Sequence, residues 1–271
     1  MKVAAIQMVS STALDDNLRV ARELLEQAAL GGAELAVLPE YFCLMGYKDT
    51  DKLALRETAG SGVIQQFLAD TARALQIWIV GGTLPMATDA PDRVRNTTLV
   101  FDPTGACVAR YDKIHLFRFS NGAEQYDEGR VIDAGDTPVQ FDLQARSGQR
   151  WRVGLSVCYD LRFPELYRAH ARAGADLLLV PSAFTHTTGQ AHWEVLLRAR
   201  AVENLAYVLA PAQGGVHANG RHTWGHSMLV DPWGSILAQR DQGAGVVAGE
   251  LDAQRLSAVR AQLPALTHRV L

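Results

Sequence analysis

Gly32-Ala33-Glu34-Leu35-Ala36-Val37-Leu38-Pro39-Glu40-Tyr41-Phe42 is echoed later in the chain by Gly174-Ala175-Asp176-Leu177-Leu178-Leu179-Val180-Pro181-Ser182-Ala183-Phe184. Each copy steps from Gly-Ala and an acid into a short apolar run that ends on proline. Such runs, bounded by turn signals, are strands buried on both faces. A second echo follows. Leu99-Val100-Phe101-Asp102-Pro103-Thr104-Gly105 returns as Leu229-Val230-Asp231-Pro232-Trp233-Gly234, with a one-residue slip before the turn. Proline presets φ in each Asp-Pro-x-Gly turn and glycine accepts the conformation that other residues resist. The chain repeats itself, and repetition is an architectural signal.

Between the echoes the order of elements also matches. The first half reads as a strand over 3–8 and a helix after Asp15 and Asp16, with Leu18, Ala21, Leu25 and Ala28 on one face. A strand over 34–38 follows, then a helix capped by Ser61 with Ile64, Phe67, Leu68, Thr71 and Leu75 inward, then a strand over 77–81. The second half reads as strand 152–157, helix 163–173, strand 176–180, helix 191–206 and strand 207–210. Glu194 and Arg198 form an i,i+4 pair on the last helix. Two similar halves, each a sheet with helices on one face, pack sheet to sheet. The expectation is an α/β fold, a four-layer α-β-β-α sandwich, in a single domain over 1–271.

Composition narrows the function. The 271 residues are 48% hydrophobic and 20% charged with a formal net charge of −3, which describes a globular chain and argues against a nucleic-acid platform. No run approaches the roughly 18 apolar residues that a membrane span needs. Three cysteines, Cys43, Cys107 and Cys158, make no disulfide framework and suit a cytoplasmic location.

Ligand sites of such sheets lie beyond the carboxyl ends of strands. Cys158 ends the strand Trp151-Arg152-Val153-Gly154-Leu155-Ser156-Val157, and Glu40 ends the strand over 34–38. A thiol with a carboxylate nearby makes a nucleophile and a general base. A buried inert thiol and a solvated loop carboxylate would read the same way, and spacing alone does not join either to Lys113.

Pro39-Glu40, Tyr111-Asp112-Lys113-Ile114-His115-Leu116 and Gly154-Leu155-Ser156-Val157-Cys158-Tyr159-Asp160-Leu161-Arg162-Phe163-Pro164-Glu165 resemble the three signature stretches of the nitrilase, or carbon–nitrogen hydrolase, superfamily. Trp224-Gly225-His226-Ser227-Met228 adds a further match. The resemblance implies the α-β-β-α fold and a catalytic set of Glu40, Lys113 and Cys158. It adds a second glutamate, which falls best on Glu128, with Glu124 close by in the same loop. Glu40 takes the thiol proton, Lys113 and the Tyr159 backbone N–H hold the oxyanion, and Glu128 orients substrate or Glu40. Two neighbouring carboxylates are expected to keep one proton between them. No cofactor or metal is implied, and the partners expected are a small-molecule amide and a second copy of the chain, with no nucleic acid and no membrane.

Three rival readings use the same residues. His217, His222 and His226, with His186 and His192, could build a zinc site, although Gly214-Gly215-Val216-His217-Ala218-Asn219-Gly220-Arg221-His222 reads as a loop with surface histidines. A papain-like pair of Cys158 with His192 or His226 leaves Glu40 and Lys113 without work. An interaction domain on this fold predicts a missing catalytic position, and none is missing. Cys43 reads as a bystander thiol, Cys107 as packing, and Gly81-Gly82 as too little for a phosphate loop.

The stretch from Ser182 to Ala201 resembles the Nit branch, which implies hydrolysis of an amide of a 2-oxo dicarboxylic acid. The expected substrate is deaminated glutathione, giving 2-oxoglutarate and Cys-Gly. Alternatives are an ω-amidase acting on 2-oxoglutaramate or 2-oxosuccinamate, and an N-carbamoyl amidohydrolase. An anionic substrate calls for a cation. Arg162 is the candidate, unless Glu165 claims it, and Thr187 and Thr188 offer hydroxyls.

Overall fold

The computed structural model describes residues 1–122 and 125–270. Six of the seven strands of one sheet follow in spatial order as Gly245–Glu250, Lys2–Gln7, Leu35–Val37, Trp78–Val80, Val94–Phe101 and Leu84–Ala87. The seventh, Cys107–Asp112, also pairs with Val94–Phe101. The other sheet runs Ile236–Arg240, Ser227–Val230, Tyr207–Ala210, Leu177–Leu179, Arg150–Leu155 and Gln140–Gln144.

At the heart of each sheet lie three parallel strands, and the repeat is visible bond by bond. Glu34 N–H reaches Lys2 O at 2.8 Å, and Asp176 N–H reaches Arg152 O at 2.8 Å. Trp78 N–H bonds Glu34 O and Tyr207 N–H bonds Asp176 O, both at 2.9 Å. Both Asp-Pro-x-Gly turns close with the glycine N–H on the aspartate carbonyl at 2.9 Å.

Alternation along the strands builds the layers. Val3, Ala5, Leu35, Val37 and Val80 face the other sheet and share one core with Val153, Leu155, Leu177, Leu179 and Leu209. Ala4, Ile6, Ala36, Leu38 and Ile79 face outward onto Ala21, Leu25, Ile64 and Leu68. Those last four belong to helices α1 (Leu14–Leu30) and α2 (Val63–Leu75). Helices α3 (Pro164–Arg172) and α4 (His186–Asn204) belong to the second half, and α5 (Ala253–Gln262) is tied there by Arg260, which pairs with Asp176 at 2.8 Å. The α-β-β-α expectation holds. No helix among the described residues is long and apolar enough to cross a membrane.

Two boundaries differ from the sequence reading. Ser61 does not cap α2: Gly62 stands there, and the Glu57 carboxylate accepts from Ile64 N–H (2.6 Å) and Gln65 N–H (3.1 Å). A carboxylate suits the positive end of a helix. A Cβ on Gly62, at φ +150°, would lie 2.0 Å from Glu57, so glycine makes room for this cap. Helix α4 starts at His186 rather than at 191, with Thr185 as its cap. The exposed Cys107 corrects the packing role read for it.

Candidate active site

Glu40 follows the strand Leu35–Val37 through a tight turn. Tyr41 takes φ +56° with its N–H on Thr83 Oγ1 at 2.9 Å. The Pro39 carbonyl comes so close to Gly82 that a Cβ there would sit 2.1 Å from it, which is the work of the glycine pair at 81–82. The turn aims the Glu40 side chain between the sheets, where it is 1% exposed. Its Oε1 accepts from Lys113 Nζ (2.8 Å) and Asn96 Nδ2 (3.0 Å), and its Oε2 from Ala183 N–H (2.9 Å).

Lys113 leaves the end of the strand Cys107–Asp112, and its ammonium is fully enclosed. Beyond Glu40 it reaches both oxygens of Glu128, at 3.0 and 2.8 Å. Glu128 also accepts from Tyr41 Oη (2.6 Å) and Phe117 N–H (2.7 Å). Burial pushes the Glu128 carboxyl up, yet Lys113 and these donors outweigh it and hold the group below its ordinary value. Burial likewise opposes the Lys113 charge, and Glu128 and Glu40 together keep the ammonium well above its ordinary pKa. The expected shared proton is therefore replaced: an ammonium stands between the two carboxylates. Glu124, the other candidate in this loop, lies outside the described residues.

Cys158 opens the short helical turn Cys158–Arg162 with φ +49° and its N–H on Pro181 O at 2.9 Å. A left-handed non-glycine residue costs on the order of 1 kcal/mol and persists where its surroundings hold it. Asp160 does the holding. Its buried carboxylate accepts from Val157 N–H (2.8 Å), Tyr111 Oη (2.6 Å) and His115 N–H (3.0 Å), which ties the cysteine turn to the two flanks of Lys113. Burial, then Glu40, pushes the Cys158 thiol well above its ordinary pKa, and Lys113 only partly opposes them. A thiol held protonated attacks only with a base at hand.

The thiol opens into a small cavity walled by Phe117, Tyr159, Arg162, Phe184, Thr185 and Thr188. The Arg162 guanidinium lies over the rings of Phe184 (5.4 Å) and Tyr159 (5.8 Å). It donates to His192 Nδ1 at 3.2 Å and makes no ion pair with Glu165. Thr188 joins the lining, whereas Thr187 is exposed and outside it. Tyr159 is the second residue of its turn, where a backbone N–H has no acceptor within the helix itself.

The histidines do not converge. His217 is buried rather than on the surface, with Nδ1 on Ser10 O and Nε2 on Thr223 Oγ1, both at 2.8 Å. Its loop is pinned by a small hairpin of Gly214–Val216 with His222–Trp224. His186 stacks on His222 at 4.1 Å and His226 on Trp224 at 4.2 Å. Among the described residues no group of three or more metal-binding side chains is arranged around a common point. Cys43 is buried with its thiol near Thr83 O, and burial lifts its pKa to about 12.

Asn96, Asp160, Tyr41 and the Ala183 N–H escaped the sequence reading. The one hint was Asp160, two residues past Cys158, with its partners Tyr111 and His115 each two residues from Lys113.

Comparison with known proteins identifies the family. Residues 2–261 match the carbon–nitrogen hydrolase family. A Synechocystis protein named deaminated glutathione amidase is 44% identical over 270 residues, covering 98% of this chain and 97% of its own. Saccharomyces cerevisiae Nit3, described as a member of branch 10 of the nitrilase superfamily, superposes with a TM-score of 0.87 at 30% identity, over 100% of this chain and 97% of that one. The Caenorhabditis elegans NitFhit protein superposes with a TM-score of 0.89 at 36% identity over 99% of this chain, which spans 65% of the NitFhit chain's length. With the family matched from end to end of the sandwich, and relatives of this identity along almost its whole length, the chain belongs to the carbon–nitrogen hydrolases of the nitrilase superfamily and is an amide-hydrolysing enzyme.

Proposed function

We propose that the enzyme cleaves deaminated glutathione to 2-oxoglutarate and Cys-Gly, through a thioester on Cys158. The observation that carries the reading is Lys113, enclosed between Glu40 and Glu128, beside a buried thiol whose cavity also holds Arg162. The name of the Synechocystis relative supports the substrate.

In this mechanism Glu40 takes the Cys158 proton as sulfur adds to the amide carbonyl carbon. One negative charge thereby passes from Glu40 to the new oxyanion, so the cluster's net charge does not change. Lys113 follows that charge from Glu40 to the oxyanion, joined by the Tyr159 N–H. At about 4 Å and an effective dielectric near 20, such a contact is worth about 4 kcal/mol. Glu40 then protonates the departing amine, the tetrahedral adduct collapses to the thioester, and a water deprotonated by Glu40 hydrolyses it. Glu128 holds Lys113 and Tyr41 in place, while Arg162 and Thr188 receive the acyl group's distal carboxylate.

Residues 1–271 are read as one domain, in keeping with the pairing of Lys2–Gln7 with Gly245–Glu250. A homodimer in a reducing cytoplasm fits the free thiols and the exposed Val195, Val202 and Trp233 around one surface cleft. Light scattering should give twice the chain mass, and a monomer at micromolar concentration would contradict the dimer.

The substrate is tested by release of 2-oxo acid or amine from deaminated glutathione, 2-oxoglutaramate, 2-oxosuccinamate and an N-carbamoyl amino acid. The expected kcat/KM for deaminated glutathione exceeds the others by about ten-fold or more. A lead for the free amides makes the enzyme an ω-amidase, and a lead for the carbamoyl compound overturns the 2-oxoacyl reading.

A further inference from the structure

Beside Tyr41 lies a second, small hollow that shares no lining residue with the thiol cavity and that the mechanism leaves without a task. Lys48, Lys52 and Arg221 line it against a single carboxylate, Asp49. The Lys52 ammonium sits 5.0 Å from the centre of the Tyr41 ring, and the Arg221 guanidinium 5.2 Å from that of Tyr126. Among the described residues neither cation is in an ion pair. Burial pulls the Lys52 ammonium below its ordinary pKa, and Arg221 adds to that pull although Glu128 and Asp49 resist it. Three cations facing the one carboxylate of Asp49 raise the energy of the empty site, and an anion that arrives there lowers it.

The hollow adjoins the reaction centre. Tyr41 bonds Glu128, and Tyr126 packs on Phe117 of the thiol cavity with ring centres 5.6 Å apart. Two rings thus separate Arg221 from that cavity.

The geometry points to Lys52 and Arg221 as a second anion subsite that binds the carboxylate of the leaving group, with Arg162 serving the acyl end. The assignment of ends follows from covalency. The acyl group stays on sulfur in the thioester, so it occupies the enclosed cavity that Cys158 itself lines. The amine must depart, and the Lys52–Arg221 hollow does not touch Cys158. The inference rests on the proposed 2-oxoacyl dipeptide substrate and adds which residues select its dipeptide half.

The test compares deaminated glutathione with the same compound carrying a carboxamide in place of its glycine carboxylate. Acyl group and scissile bond are identical; only the distal charge differs. For the wild-type enzyme kcat/KM should favour the free acid by about ten-fold or more, and added salt should shrink the preference. In Lys52→Met and in Arg221→Met the preference should fall to about two-fold or less, through a rise in KM for the free acid. Arg162→Met should lower both substrates together and keep the ratio. Equal turnover of both compounds by wild type overturns the subsite, as does a ratio that survives both the Lys52 and the Arg221 substitutions. Should a variant lose all activity, the wild-type ratio and its salt dependence decide. Wild type that cleaves neither compound overturns the proposed substrate instead, so the two failures are distinct.

Discussion

Cys158→Ser should lower kcat on the order of 10⁴-fold or more while shifting Tm by no more than a few degrees. Serine fills the same space and keeps the turn, but its hydroxyl surrenders a proton far less readily than a thiol, and a carboxylate base cannot compensate. Cys158→Gly makes the contrast sharper. It should be equally inactive, and because glycine adopts φ +49° without strain, relief of that strain should offset part of the cost of the lost buried side chain. Initial rates and thermal melts on the three proteins suffice. A serine variant with a tenth of wild-type activity would remove Cys158 from the mechanism.

Lys113→Met should be nearly as damaging, on the order of 10³-fold in kcat/KM, and should also cost about 3–5 kcal/mol of stability. It leaves the buried Glu40 and Glu128 facing each other without a cation. Its pH signature is specific. In wild type the folded-state pKa of Glu128 lies below its unfolded value. Its stabilisation is therefore present above the unfolded value and is lost as pH falls through the folded one. Without Lys113 burial prevails and the folded pKa rises above the unfolded value, so the contribution is present at low pH and lost as pH climbs. Between pH 5 and pH 8 the Glu128 contribution should thus leave the wild-type urea midpoint level and lower that of the variant, which is firmer in acid. The same trend in both proteins would mean that Lys113 does not hold the carboxylates.

The strands were legible because short apolar runs between turn signals have few other uses, and Tyr207–Ala210 falls where periodicity puts it. The start of α4 was not, since Gly189 lowers helix propensity. The glycine is there for packing: a Cβ on it would lie 2.3 Å from the Trp224 side chain. The α2 cap hid for a similar reason, because Glu57 lies outside the local window in which a cap is sought. At the site, Glu40 and Cys158 could be placed at strand ends, but Lys113 joined them only through resemblance. Asn96 stayed silent, and Asp160 gave only the hint of its place two residues past Cys158. Asn96 meets Glu40 across 56 residues within one sheet, and Asp160 meets His115 across 45 between the two sheets, so only the folded chain gives them a partner.

The pairing of Lys2–Gln7 with Gly245–Glu250 has a consequence for the order of events during synthesis. The Lys2–Gln7 strand leaves the ribosome long before Gly245–Glu250 and waits for it before one of its edges is covered. Until then the N-terminal half carries an open strand edge, an invitation to pair with another nascent chain. Ala183 N–H and Glu40, whose bond spans 143 residues, meet only when both halves exist. Such non-local closure slows folding. Recovery of activity after denaturation should therefore trail recovery of helical signal, and chain lost from the C-terminal edge strand should act first on yield from the cell.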